Sequence, residues 1–289
     1  MARREMMEAS VVTIVRNEAD RIGEYLRAIA AQDYSHFEVI IVDDGSTDGT
    51  VREIEKFSDP RITCLSAKTG QGVAALRNIG VQHAKGKYIF FTDGDCAPSR
   101  YWLSEGIRRF QTETCEGVEG RTFYHYQNTI TISDYNTETL NPDHYMTCNM
   151  AYRKSALERV GFFDPNFDCG HEDRDLALRV KRIGRIIYAE DMLVCHQEKR
   201  LTPRAILGRA FRAKNMVYLF KKHQKEGQRG KLVLYPSHIT IILFPFLLIS
   251  HYTYRSLSDV QIGFVKYFAL IIERLLIWYW AIKYRIFLL

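Results

Sequence analysis

Val42-Asp43-Asp44-Gly45-Ser46-Thr47-Asp48-Gly49-Thr50 is the stretch that decides the fold class of this chain. The apolar run 37–42 leads into it, and a helix-like segment, 51–57, follows. A short apolar run ending in carboxylates, a glycine turn and capping residues reads as a buried strand that delivers polar groups to its carboxyl end. The same design recurs on either side. Run 11–15 leads into Arg16-Asn17-Glu18, run 61–65 into polar sequence, and run 88–92 into Asp93-Gly94-Asp95. Between the runs, Ile22, Leu26 and Ile29 fall at helical spacing, as do Leu76 and Ile79 before Gly86 closes the segment. Four buried parallel strands joined by crossover helices are expected, which makes the first part of the chain an α/β domain.

With 289 residues, 46% hydrophobic and 26% charged, the chain has room for a sizeable core and is neither disordered nor a disulfide-stapled miniature. Its six cysteines form no CxxC pair and no zinc spacing, which fits reduced thiols and a cytosolic setting. The first residues carry no apolar run of signal-peptide type. A net charge of +6 is too small to specify a nucleic-acid partner, and none is expected. No GxxxxGK[ST], no complete GxGxxG and no HExxH occurs, so P-loop, dinucleotide and zinc-protease readings fail.

In an open parallel sheet ligands bind beyond the carboxyl ends of the strands, so the residues after each run face one crevice. There they are acidic. Carboxylates gathered at one edge repel and lose hydration, a cost tolerated when a divalent cation or a donor-rich ligand sits among them. An Asp-x-Asp pair suits Mn²⁺ or Mg²⁺ and the oxygens of a diphosphate. Taken alone, Asp93 and Asp95 serve equally well as caps of a helix starting near Ser99, and Asp44 to Thr50 as a turn and N-cap. Further on, 117–125 reads as a strand, 126–146 as a long Tyr-rich loop shaping an acceptor pocket, and Leu176, Val180 and Ile183 as an amphipathic helix. Gly161-Phe162-Phe163-Asp164 leads into His171-Glu172-Asp173-Arg174-Asp175, as a loop delivering a carboxylate to a pocket would.

These motifs together resemble glycosyltransferase family 2, whose members have the GT-A fold. The residues carrying the likeness are 15–18, 42–50, 76–80, 92–95, Asn149 with the residues after it, 161–164 and Glu172-Asp173, in that order along 10–213. The resemblance implies a metal-dependent, inverting transferase using a UDP- or GDP-type sugar donor. Asp44 matches the base contact, Arg77 a nucleotide contact, Asp93 the ribose contact and Asp95 the metal ligand. Arg16 and Glu18 belong to the donor crevice, and His196 resembles a histidine that approaches the metal or pyrophosphate. Asp173 matches the catalytic base. Arg209 and Arg212 are expected to close over the pyrophosphate or to form a basic face beside a membrane. Gln-x-x-Arg-Trp, typical of processive polysaccharide synthases, is missing from this region, which favours addition of one sugar. A non-catalytic nucleotide-sugar binding or scaffold protein would keep Asp44 and Asp95 without acceptor chemistry, and Asp173 separates the two readings.

Three regions are expected: a catalytic domain at 1–198, a basic helical stretch at 199–231 and two apolar helices at 232–289. Segment 232–250 carries no Asp, Glu, Lys or Arg and as a helix spans about 28 Å, near the hydrocarbon thickness of a bilayer. Segment 262–282 is similar but holds Lys266, Glu273 and Arg274. Either a spanning hairpin or two helices lying in the interface places the catalytic domain on the cytoplasmic face of a membrane, next to membrane lipids and a lipid-linked or membrane-presented glycan acceptor. Transfer to polyprenyl phosphate itself is the alternative.

Overall fold

Strands β1 (Ala9–Val15), β2 (Phe37–Asp43), β3 (Ile62–Ser66) and β4 (Tyr88–Phe91) pair in parallel in the order β3-β2-β1-β4. Their side chains alternate between two cores, as the pleat requires. Val11, Val39, Ile41 and Phe90 face one, and Val12, Ile40, Val42 and Phe91 the other. Helices α1 (Ile22–Ala30), α2 (Thr50–Lys56) and α3 (Val73–His83) are the crossovers. Three of the four expected strands are buried. The fourth, β3, is half exposed because it closes the sheet edge.

The computed structural model describes residues 7–125, 141–197, 202–224 and 257–284. Beyond β4 the sheet ceases to be parallel. It continues through β5 (Cys96–Pro98), β6 (Gly117–His125), β7 (Met150–Arg153) and β8 (Ile186–Gln197) to the full order β3-β2-β1-β4-β7-β6-β8-β5. Here β7 runs antiparallel to β4 and to β6, and β5 antiparallel to β8. Helices α4 (Trp102–Thr112), α5 (Lys154–Val160) and α6 (Glu172–Val180) connect these strands. Strand β8 escaped the sequence reading because Glu190 and Asp191 interrupt its apolar pattern. The structure places them where the register with β6 jumps from Ala189 to Leu193, a bulge that turns both carboxylates outward. Asn149 locks this half together. Its amide accepts from Trp102 Nε1 and donates to the carbonyls of Arg121 and Met192, all within 2.9 Å. Gly120 permits that approach, since a Cβ there would meet Asn149 at 2.4 Å.

The chain divides into two compact units, 1–127 with 136–168 and 172–198, and 128–135 with 169–171 and 199–289. The second unit contains α7 (Pro203–Ala210), α8 (Ala213–His223) and α9 (Leu257–Lys283). Small residues let α9 approach both partners: Ala269 meets Ile206 and Ala210, while Ile277 and Ala281 meet Ala213 and Val217. Among the described residues no helix is long and apolar enough to cross a membrane. The expected second span, 262–282, falls within α9, and Lys266, Glu273 and Arg274 interrupt its apolar sequence. The apolar segment 232–250 and most of the expected loop, 126–140, lie outside the described residues.

Replacing Asn149 with Ala strands one buried indole N–H and two carbonyls. Urea denaturation should show a loss of about 3 kcal/mol, against about 1 kcal/mol for an ordinary buried hydrogen bond.

Candidate active site

The loops following β1 and β2 are laced to each other. Asn17 accepts from the Thr47 amide at 2.8 Å and gives its own amide N–H to Ser46 Oγ at 2.9 Å. The Glu18 amide donates to Thr50 Oγ1, and the Ala19 amide to Asp48. Asn17 takes a positive φ of 54° to make this turn, a conformation asparagine tolerates better than most residues. Gly45 turns at φ 68°, where a Cβ would collide with Thr69 at 2.1 Å. The lacing aims Asp44 at the crevice. One of its oxygens accepts from Arg16 at 2.8 Å, the other from the Gly70 amide at 3.2 Å. Glu18, by contrast, turns its carboxylate to Arg21.

At the end of β4 the pairing of β5 with β8 sets Cys96 opposite His196. Asp93, Asp95, Cys96 and His196 thereby bring one ligand atom each within 4.8 Å of one another. His196 Nδ1 lies 2.9 Å from the Gln197 carbonyl, which can only accept, so Nδ1 carries the proton. The ring thereby turns Nε2 toward the cluster, 3.7 Å from Asp95 Oδ1. Two carboxylates and an imidazole whose tautomer is fixed by a second hydrogen bond are a donor set that fits Mn²⁺ or Mg²⁺. Cys96 is the member that sequence reading missed, because its nearness to His196 depends on strand β8.

Helix α3 supplies the other side of the crevice. Arg77 is buried and holds Glu172 at 2.6 Å, with Asp93 at 3.7 Å. Burial disfavours its charge, but the carboxylates of Glu172, Asp93 and Asp173 outweigh that and push the guanidinium pKa up. Two further ties fix the segment leading into α6. Asn78 donates to the Phe163 carbonyl at 2.8 Å and accepts from the Phe163 amide at 2.9 Å, and the Val73 amide donates to the Asp168 carbonyl. The first turn of α6 therefore starts where Arg77 can hold it. Asp173, half-buried there, has its carboxyl pushed up to about 7, chiefly by loss of hydration and then by the neighbouring Glu172 charge, against the pull of Arg77. A carboxyl titrating near neutrality is suited to proton abstraction.

Of the residues singled out in the sequence, the structure brings Asp93, Asp95 and His196 together, and joins Arg77 to Asp93 and to the Glu172-Asp173 pair. Arg16 and Asp44 form their own pair. Arg209 and Arg212 lie in the second unit. Asn78 was legible only as part of a motif, and its clamp on Phe163 required the fold.

Three comparisons with known proteins agree with this geometry. The family model described as glycosyl transferase family 2 matches residues 10–163. Glycosyltransferase AglE of Haloferax volcanii is 31% identical over 65% of this chain and 66% of its own length. The Escherichia coli protein WfaP, a UDP-Glc:alpha-D-GlcNAc-diphosphoundecaprenol beta-1,3-glucosyltransferase, is 30% identical over 55% of this chain and 63% of its own. The chain thus spans just under two thirds of these relatives. Among solved structures, mannosyltransferase PcManGT of Pyrobaculum calidifontis, in complex with GDP-Man and Mn²⁺, superposes with a TM-score of 0.63 over 95% of this chain and 88% of that one, at 19% identity. The shared fold is GT-A-like α/β.

Titration with Mn²⁺ followed by electron paramagnetic resonance should show tight binding to the unaltered chain and at least about tenfold weaker binding, 1.4 kcal/mol, in Asp95→Asn and His196→Ala. Unchanged affinity in both would remove the cation from this cluster.

Proposed function

We propose that this chain, which belongs to glycosyl transferase family 2, transfers a single sugar from a nucleoside diphosphate donor to a hydroxyl of a lipid-linked or membrane-presented glycan, with inversion at the anomeric carbon. The carrying observation is the ion pair Arg77–Glu172, which ties the carboxylate cluster at the end of β4 to the raised carboxyl of Asp173. Asp93 and Asp44 take the ribose and base of the donor, in keeping with their places at the carboxyl ends of β4 and β2, the two strands that flank β1. Asp95 and His196, with Asp93 beside them, would hold Mn²⁺ or Mg²⁺, which supplies charge stabilisation to a departing diphosphate. Asp173 accepts the proton of the acceptor hydroxyl as that oxygen bonds to the anomeric carbon. The bond to the diphosphate breaks with its electron pair, and a nucleoside diphosphate leaves. One carboxylate acting once gives a single displacement.

A membrane-presented acceptor is supported by α9. Phe264, Phe268, Leu275, Tyr279 and Ile282 recur at spacings of four, seven, four and three, so they share one stripe of the helix. All are more than half exposed, as is Trp278 beside them. An apolar stripe of that length, ending in Trp and Tyr, is suited to lying in a membrane interface. The catalytic unit would then work at the cytoplasmic surface, as six cysteines outside any disulfide also favour. The printed activity of WfaP, on a diphosphoundecaprenol-linked sugar, supports an acceptor of this class.

Asp173→Asn should lower transfer by at least about 10²-fold, the lower end of what a positioned general base contributes, while leaving donor binding intact in calorimetry. In the unaltered enzyme kcat/KM should rise about tenfold per pH unit up to about 7 and then level off as Asp173 ionises. Linkage runs the opposite way for stability. A carboxyl raised on folding favours the fold below its unfolded pKa and loses that advantage as pH rises through 7, so Asp173→Asn should melt higher than the unaltered chain at pH 8. A pH-independent rate, or turnover by the variant, contradicts the assignment.

A further inference from the structure

The second unit holds a cavity of about 330 Å³ that the donor site does not use. Arg209 and Arg212 border it from α7 and the turn after it, Lys266 from α9, and His171 from the segment before α6. Ile206, Met216 and Leu270 give the rest of the lining an apolar character. Glu273 is the one carboxylate among the lining residues, and burial shifts its pKa upward against the pull of Arg274, so it opposes the cations less than an exposed glutamate would. Three fixed cations and an imidazole beside an apolar wall are complementary to a phosphate carried on a hydrocarbon chain, and a nucleotide has no such chain.

The charges of α9 take on a reason in this setting. Lys266 and Glu273 are two of the charges that interrupt the apolar sequence of this helix, and both line the cavity. They lie on the face opposite the exposed stripe of Phe264, Phe268, Leu275, Tyr279 and Ile282. A helix about 10 Å across, sunk by that stripe about 5–10 Å into the acyl boundary, carries its opposite face at the level where lipid phosphates sit. His171 also stands two residues before Asp173, and two residues of chain reach at most about 7 Å.

We propose that this cavity binds the diphosphate of a prenyl-diphosphate-linked acceptor, with Arg209, Arg212, Lys266 and His171 on the phosphates and the apolar lining on the first isoprene unit. This assignment rests on the glycosyltransferase reading above and moves Arg209 and Arg212 from the donor's diphosphate to the acceptor's. It also selects a prenyl diphosphate carrier over a glycan without one.

Calorimetric titration of the full chain in detergent tests it with two probes: farnesyl diphosphate in EDTA, and UDP or GDP with Mn²⁺. The expected result is binding of farnesyl diphosphate, much weaker binding of farnesol, and at least tenfold loss of farnesyl diphosphate affinity in Lys266→Ala and in Arg209→Ala. Lys266→Arg should restore most of it, and nucleotide affinity should stay within twofold throughout. Absence of farnesyl diphosphate binding, or equal affinity in both alanine variants, overturns the proposal. So does loss of nucleotide binding in those variants, which would return the cavity to the donor. Failure of the glycosyltransferase reading looks different: neither nucleotide binds, and farnesyl diphosphate binding is unaltered.

Discussion

Arg77 is the constraint on which the active site depends. It is buried on α3, ion-paired at 2.6 Å to Glu172 and within 3.7 Å of Asp93. A buried guanidinium is stable only among carboxylates, and buried carboxylates only beside a cation, so neither half of this arrangement survives without the other. From α3, Arg77 joins the end of β4, through Asp93, to the start of α6, through Glu172, two segments about eighty residues apart in the chain. It also sets the balance at Asp173. Loss of hydration raises that carboxyl, Glu172 raises it further and Arg77 restrains it, leaving it near neutrality instead of fully ionised or locked as an acid. On the proposed mechanism, the same contact that folds α6 onto α3 tunes the base.

Much of the catalytic unit was legible in the sequence because its strands are short, apolar and followed by chemistry. The runs ending at Arg16, Asp44 and Asp93 each proved to be a parallel strand within one or two residues of the expected limits. The second half of the sheet resisted for physical reasons. Strand β8 hides its pattern behind the bulge at Glu190 and Asp191, and β5 is three residues long. Both matter to the site, since their pairing brings His196 and Cys96 to Asp95. The sequence resemblance implied a histidine approaching the metal or pyrophosphate at His196, and the register sets that residue opposite Cys96, beside Asp95. Glu18 shows the opposite case: its position after β1 pointed to the crevice, but Arg21, one helical turn on, holds its carboxylate.

The apolar end of the chain shows how composition alone misleads. Segment 262–282 reads as a flawed membrane span, with three charges to be explained away. As α9 it is a helix with two apolar faces, one packed on α7 and α8 and the other exposed, and two of the three charges line a cavity within the second unit. Periodicity distinguishes these faces where mean hydropathy does not.

The central claim is that Asp173 acts once, as a base, in a single displacement at the anomeric carbon. Proton NMR of the sugar newly joined to the acceptor reports its configuration directly, through the coupling between the anomeric proton and its neighbour. With an α-linked donor that carries an equatorial 2-substituent, the account predicts a β-linked product, seen as a large coupling between two axial protons. An α-linked product would mean two displacements or front-face attack, and Asp173 would lose the role assigned to it.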